Sequence, residues 1–341
     1  MLGEQEISEI KEHLQKAQKP IFFFDNDTDG LCSFLLLRKY IGRGYGIAIK
    51  SYPELDVSYA RKIEELNADY VFVLDKPVIS DGFRAAVREK NIPFVWIDHH
   101  DVEPGNLEGI SYYNPTKTGK NQPVTYLCWE ICKKKEDLWI ALCGCIGDAY
   151  LPEFSEDIEK LYPELWRKVK SAFEGLYETE LGKITRIMSF GLKDRTTNVL
   201  KMIRFLLQAT PVDVLEESNK NTALRRFEQV DEKYKKLLNK AESFVSKKKL
   251  IYFQYGGELS LSGDIANELI YKYPDKIIIV VYLKGAKANL SLRGKGVRKL
   301  TLEALKGIDN ATGEGHEEAT GAKMNIEDLP KFKENMERML R

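Results

Sequence analysis

Long apolar runs are missing from this chain of 341 residues. The longest are pieces such as IIIVVYL at 277–283, far short of the roughly 18 to 20 residues a helix needs to cross a bilayer. The opening MLGEQEISEIKEHL lacks the apolar core of a signal peptide. Both absences exclude a membrane association and lead to the expectation of a cytoplasmic protein. Cysteine is scarce, with five residues at 32, 128, 132, 143 and 145 and no C-x-x-C pair. A disulfide scaffold, a zinc ribbon and a redox dithiol are therefore excluded, and the thiols are expected to be buried small hydrophobes. Glutamine is also sparse, with seven residues beside abundant Lys and Glu, a bias shared with heat-adapted proteins. Net charge is absent: 52 basic side chains balance 52 acidic ones. That argues against a protein that coats nucleic acid with its whole surface. Apolar residues at 43% and charged residues at 30% place the chain among folded proteins and away from disorder. Its length suits about two domains of ~150 residues.

The neutral total hides local asymmetry. Residues 272–300 carry Lys272, Lys276, Lys284, Lys287, Arg293, Lys295, Arg298 and Lys299 against the single acid Asp275, and residues 201–250 carry twelve basic against seven acidic side chains. The C-terminal half thus holds a candidate anion-binding surface. The run Lys247, Lys248, Lys249 reads by itself as a solvated face.

Over the first 150 residues, short apolar β-rich runs alternate with helical patterns, the signature of βαβ units and a parallel sheet. IFFF (21–24), GIAIKSY (46–52), YVFVL (70–74) and PFVWI (93–97) are expected as strands, with helices over 31–40, 57–66 and 80–90. The strand runs are apolar throughout, as strands covered on both faces are. From Pro123 to about Glu217 the spacing turns helical. Residues 219–248 contain no Gly or Pro and keep a sparse apolar stripe at Leu224, Phe227, Val230, Tyr234, Leu237 and Leu238, which predicts a long connecting helix. KLIYFQY, KIIIVVYL and ANLSLR around a helix at 262–272 predict a second, smaller α/β unit.

Five features carry chemistry. Asp25-Asn26-Asp27-Thr28-Asp29-Gly30 sets three carboxylates at alternate positions after an apolar run, where a parallel sheet would present them at its carboxyl edge. An EF-hand loop also opens with D-x-D-x-D-G, but its twelfth residue would be Leu36 and its preceding segment is strand-like, so that reading fails twice. Asp98-His99-His100-Asp101 follows PFVWI directly and contains half of the chain's four histidines. Carboxylate with imidazole suits Mn²⁺ or Mg²⁺. Asp75 ends YVFVL and Asp148 ends ALCGCIGD, placing further acids where they complete two metal sites. Finally, Gly313-Glu314-Gly315-His316-Glu317-Glu318-Ala319-Thr320-Gly321 reads as a glycine-rich turn leading into a helix, an anion-binding arrangement. It is preceded by the strand end Ser291-Leu292-Arg293.

In this order the five features resemble the DHH phosphoesterase superfamily, with Asp98-His99-His100 as the eponymous triplet and GEGHEEATG and SLR as the signatures of a DHHA1-type domain. The resemblance implies an α/β fold in which a parallel-sheet DHH domain (1–217) is joined by a connecting helix (218–248) to a smaller DHHA1 substrate-binding domain (249–341), with the active site in the cleft. It implies two Mn²⁺ or Mg²⁺ ions held by Asp27, Asp29, Asp75, His99 and Asp148, with Asp75 bridging and Asp25 an additional ligand or a group behind the ligands. His100 would contact phosphate and, with Asp75, do the catalytic work. Ser291, Arg293, Gly313, Gly315 and His316 would hold the phosphate or nucleotide. Glu314 and Thr320 depart from the glycine and alanine usual in this signature.

The D-x-D-x-D-G form is more similar to RecJ-type exonucleases than to the pyrophosphatases or small-dinucleotide hydrolases, which carry a His where this chain has Phe23. The length suits the compact archaeal RecJ-like nucleases. The implied activity is a metal-dependent exonuclease on single-stranded DNA or RNA in repair or replication, with a helicase such as Hef as partner. Two other readings stay open: a phosphodiesterase or phosphatase for nanoRNA or dinucleotides, and an inactive scaffold of the Cdc45 kind. Tyr252, Phe253, Tyr255, Tyr271 and Tyr273 are candidates for base stacking, with a core role open for Phe253.

Overall fold

The computed structural model describes every residue except Tyr52, Pro53, Lys120, Asn121, Asn219, Lys220 and Arg341, and describes Lys117 and Thr118 by their backbone alone. The chain divides into two compact units, Met1–Phe227 and Glu228–Arg341. Among the described residues no helix is long and apolar enough to cross a membrane.

Unit one holds the strands β1 (Pro20–Asp25), β2 (Tyr45–Ile49), β3 (Glu54–Leu55), β4 (Tyr70–Leu74), β5 (Val78–Ile79), β6 (Phe94–Ile97) and β7 (Ile110–Tyr113). Five of them form one sheet in the order β2-β1-β4-β6-β7 with every pairing parallel. β3 and β5 form a separate two-stranded pair. The expected strands and helices stand, within a residue or three at their ends, although Tyr52 of the second strand prediction lies outside the described residues. The three central strands are buried along almost their whole length, which is why their sequences do not alternate. Phe22 stacks on Phe72 on one side of the sheet, while Phe23 meets Phe83 edge-on on the other.

The chain leaves β1 to build β2 on one side and then crosses to β4 on the other. The gap beyond the carboxyl ends of β1 and β4 is therefore the switch point at which open parallel sheets bind ligands. The helix Thr28–Ile41 starts there, with Asp27 accepting the Gly30 N–H at 2.9 Å as its N-cap.

Unit two contains β8 (Leu250–Gly256), β9 (Ile277–Lys284), β10 (Lys287–Arg293), β11 (Thr312–His316) and β12 (Ala319–Asn325), in the order β11-β12-β10-β9-β8. β8 and β9 pair in parallel across the helix Ser262–Lys272, and the other pairs are antiparallel. The helix predicted over 219–248 forms as Thr222–Glu242. Asn219 and Lys220 lie outside the described residues, and past Glu242 the chain runs in turns and bends before β8 begins. The division between the units falls inside this helix, whose Phe227 stacks on Phe190 and whose Tyr234 bonds Glu268.

Two expectations are corrected in unit two. The GEGHEEATG segment does not lead into a helix: it is the hairpin of β11 and β12, turning through Glu317 and Glu318. Gly315 sits at φ 134°, backbone that L side chains rarely adopt, and a Cβ there would lie 2.4 Å from the Ala319 carbonyl oxygen. The glycines thus let the two strands close on each other and do not form the first turn of a helix. Tyr255 is buried at 7% exposure and offers no face for base stacking, while Phe253, at 1%, takes the core role that stood open for it. Tyr252 is partly buried with Lys333 over its ring. The five cysteines are free thiols, as expected, and all but Cys132 are fully buried.

Candidate metal centre

Three carboxyl strand ends and one helix end converge at the switch point. Asp25 closes β1, Asp75 follows β4 and the Asp98-His99-His100 triplet follows β6. Asp148 caps the C-terminus of the apolar helix Leu138–Gly147. His99 Nε2 lies 3.3 Å from Asp75 Oδ1 and 3.9 Å from both Asp29 Oδ2 and Asp148 Oδ2. Among the described residues two groups of potential ligand atoms result, Asp75 with His99 and His100, and Asp29 with His99 and Asp148, each within 4.8 Å. His99 is common to both.

Each side chain is aimed by its neighbours. Asp29 is 2% exposed, and its two oxygens accept the N–H groups of Val124 at 2.9 Å and Thr125 at 2.6 Å, so it caps the following helix Val124–Cys132 from across the unit. Asp75 has φ 57°, left-handed backbone that Asp tolerates better than bulky residues. Its N–H still bonds the Ile97 carbonyl at 3.0 Å, so this turn begins where the sheet ends. Buried Asp98 fixes His100 through a 2.8 Å contact to Nδ1, and Thr116 and Asn114 hold the carbonyls of His99 and His100.

The electrostatics fit a divalent cation. Desolvation first, and then the charges of Asp25, Asp29 and Asp148, push the Asp27 carboxyl up to about 7 against the lowering effect of the Gly30 N–H, even though one face of Asp27 meets solvent. Burial, then Asp29 and Asp27, hold Asp75 well above the usual carboxylate range, against the lowering effect of His99. Burial would lower His99, but Asp75, Asp148 and Asp29 outweigh it and raise it well above its usual value. His100 is likewise lowered by burial and raised overall by Asp98. Asp75 Oδ1 is buried and faces His99 Nε2 at 3.3 Å without hydrogen-bond geometry. Clustered carboxylates with an imidazole among them match the donor set of Mn²⁺ or Mg²⁺.

Comparison with solved structures finds this architecture elsewhere. RecJ from Thermus thermophilus in complex with Mn²⁺ superposes with a TM-score of 0.68 at 14% identity, over 98% of this chain and 54% of that one. The chain spans about half the length of that RecJ. An exonuclease RecJ bound to manganese gives 0.64 at 16% identity, covering 98% of this chain and 93% of the other. A DHH domain assigned to a family of ribosomal proteins gives 0.68 at 15%, covering 98% and 89%. The fold is that of RecJ and DHH-domain proteins. No protein-family model matches the chain, and no curated protein does.

Sequence reasoning missed two participants. Lys76, fully buried, sets its Nζ 2.9 Å from Asp25 Oδ1. Removing either partner of a fully buried pair costs about 3 to 5 kcal/mol, and less is expected here because the Asp25 side chain is 26% exposed. Thr125 was the second, since its hydroxyl also bonds the Asp29 carbonyl at 2.9 Å, and its sequence carried no signal.

The predicted substrate residues of unit two lie apart in sequence but share strand rows. Arg293 pairs with Ala319, which pairs with His316, so Arg293 and His316 stand in one row on one face, two strand spacings apart. Ser291 lies two residues along on that face and contacts Ser262 Oγ at 2.9 Å, while Arg293 Nε donates to Asn267 Oδ1 at 2.6 Å. Gly313 and Gly315 belong to the alternate rows. A Cβ on Gly313 would lie 2.5 Å from Leu305 Cδ1, so its place is set by packing. Thr320 is buried and bonds Thr301 Oγ1 at 2.8 Å, which accounts for one departure from the signature.

Proposed function

We propose that this protein is a divalent-metal-dependent exonuclease that hydrolyses phosphodiester bonds in single-stranded DNA or RNA, in repair or replication. The observation that supports it most is the pair of donor groups sharing His99 at the switch point of the sheet, on a fold in common with manganese-bound RecJ. Asp27, Asp29, Asp75, His99 and Asp148 would hold two Mn²⁺ or Mg²⁺ ions. When bound, such ions supply Lewis acidity toward the phosphate and a water of lowered pKa. His100, held through Nδ1 by Asp98, presents its other nitrogen to a phosphate oxygen. Arg293, His316 and Ser291 would position the strand from unit two.

The basic stretch at 272–300 narrows in the structure. Lys272 pairs with Glu242 and Glu268, and Lys276 donates to the carbonyls of Ser246 and Lys248. Lys295, Arg298 and Lys299 are exposed and remain the best candidates for contacting phosphates. Neutralising these three should lower affinity for long strands more than for dinucleotides. It should also flatten the dependence of log K on log salt by up to about 0.7 for each phosphate no longer neutralised. Equal losses on long and short substrates would favour a small-substrate phosphodiesterase, and no loss would reduce the patch to a solvated face.

The deciding experiment is digestion of end-labelled DNA and RNA strands of graded length, with a dinucleotide beside them, in Mn²⁺, in Mg²⁺ and in chelator. Cleavage in chelator, or cleavage of the dinucleotide alone, would overturn the proposal. In the same assay Arg293→Ala should reduce kcat/KM on oligonucleotides by about 10- to 100-fold, as misplaced substrates do, with Mn²⁺ affinity unchanged. A weaker Mn²⁺ affinity in that variant would count against a substrate-positioning role.

A further inference from the structure

Charge accounting at the candidate centre singles out Lys76. Its side chain is 1% exposed. Its Nζ lies 2.9 Å from Asp25 Oδ1 and 3.0 Å from the Ser51 carbonyl. Its own carbonyl accepts the indole N–H of buried Trp96 at 2.9 Å, which pins the backbone as well. A buried ammonium is tolerated only when a carboxylate is committed to it. Asp25 is that carboxylate: it opens the run of three alternate aspartates, and its Oδ1 faces the Lys76 ammonium.

We propose that Lys76 is a positioning residue of the metal centre, which takes Asp25 out of the ligand set and stands as a fixed cation beside the divalent ions. The assignment deepens the metal-centre reading and rests on it. Asp25 then serves as the anchor of Lys76. The charge available to divalent cations comes from Asp27, Asp29, Asp75 and Asp148. The pair also ties the end of β1 to the residue after Asp75, so the spacing between the two acidic turns is set before any cation binds.

The test is a calorimetric Mn²⁺ titration of the full chain as wild type, Asp25→Asn, Asp25→Asn/Lys76→Met and Asp29→Asn, with metal-free melting curves for each. Asp25→Asn alone removes the carboxylate that faces the buried ammonium and should weaken Mn²⁺ binding about 10-fold or more. The double variant removes both charges and should return to within about threefold of wild type, because replacing a whole buried pair is far milder than breaking it. It should also recover the metal-free melting temperature that Asp25→Asn loses. Should Asp25→Asn fail to fold, the double variant still decides. A double variant as weak as Asp29→Asn would make Asp25 a ligand and overturn the role of Lys76 while leaving the metal centre standing. A wild-type chain that takes up no Mn²⁺ would overturn the metal centre itself, and this assignment with it.

Discussion

Replacing His99 with alanine should abolish Mn²⁺-dependent hydrolysis of single strands, by at least about a thousand-fold, a loss of some 4 kcal/mol of transition-state stabilisation. His99 Nε2 lies within 4 Å of Asp29, Asp75 and Asp148, so its loss opens the centre of the ligand cluster. Asp75→Asn should fail to the same extent, but its effect on the fold should run the other way. Burial raises the Asp75 carboxyl well above the usual range, so between its unfolded and folded values the folded chain binds a proton there more tightly than the unfolded chain does. Such a group favours the folded state at low pH and costs stability as pH rises through its folded pKa. At pH 8 without metal, Asp75→Asn should therefore melt above wild type, by about 2 to 4 °C if about 1 kcal/mol is relieved. Lowering the pH toward the usual carboxylate range should narrow that gap, and saturating Mn²⁺ should reverse it. Near-normal turnover in either variant would show that these residues do not hold the ions. A metal-free Asp75→Asn chain that melts below wild type would show that the carboxylate is structural.

Legibility in the sequence followed the kind of signal each residue carries. β1, β4 and β6 were readable because a strand covered on both faces must be apolar at every position, and Asp25, Asp75 and Asp98 stood out because each interrupts such a run at its end. Asp148 was readable for the same reason at the end of a wholly apolar helix. β11 and β12 were not, because a glycine-rich segment fits a phosphate-binding turn and a tight hairpin equally well, and only the cross-strand partners decide. β7 was missed because Ile-Ser-Tyr-Tyr is short and partly exposed at the edge of the sheet. Lys76 was unreadable as a site residue because its partner is 51 residues away, and composition treats a lysine as surface until a fold buries it.

Gly30→Ala should be among the most damaging single changes outside the ligands themselves, although helix propensity argues the opposite. Gly30 lies in the first turn of the helix Thr28–Ile41 without a positive φ, so alanine there should favour the helix by about 1 kcal/mol. A Cβ at that position, however, would lie 2.5 Å from the Asp25 carbonyl oxygen and 2.7 Å from the Asp25 nitrogen. These are backbone atoms of the sheet, which no rotamer change can clear. Overpacking of this kind costs typically about 1 to 3 kcal/mol, so the steric penalty should exceed the gain in propensity and the melting temperature should fall. The displacement acts where function is most sensitive, because the Gly30 N–H also fixes the Asp27 carboxylate at 2.9 Å and Asp29 is the residue just before it. A shift of about 1 Å in positioned groups costs on the order of 100-fold in rate, and Mn²⁺ affinity should weaken in step because the same aspartates are the proposed ligands. Calorimetric titration beside the activity assay checks the link. A Gly30→Ala chain that melts like wild type and binds Mn²⁺ as tightly would mean that the turn after β1 relaxes without moving its carboxylates, and that the close approach of helix to strand does not set the geometry of the centre.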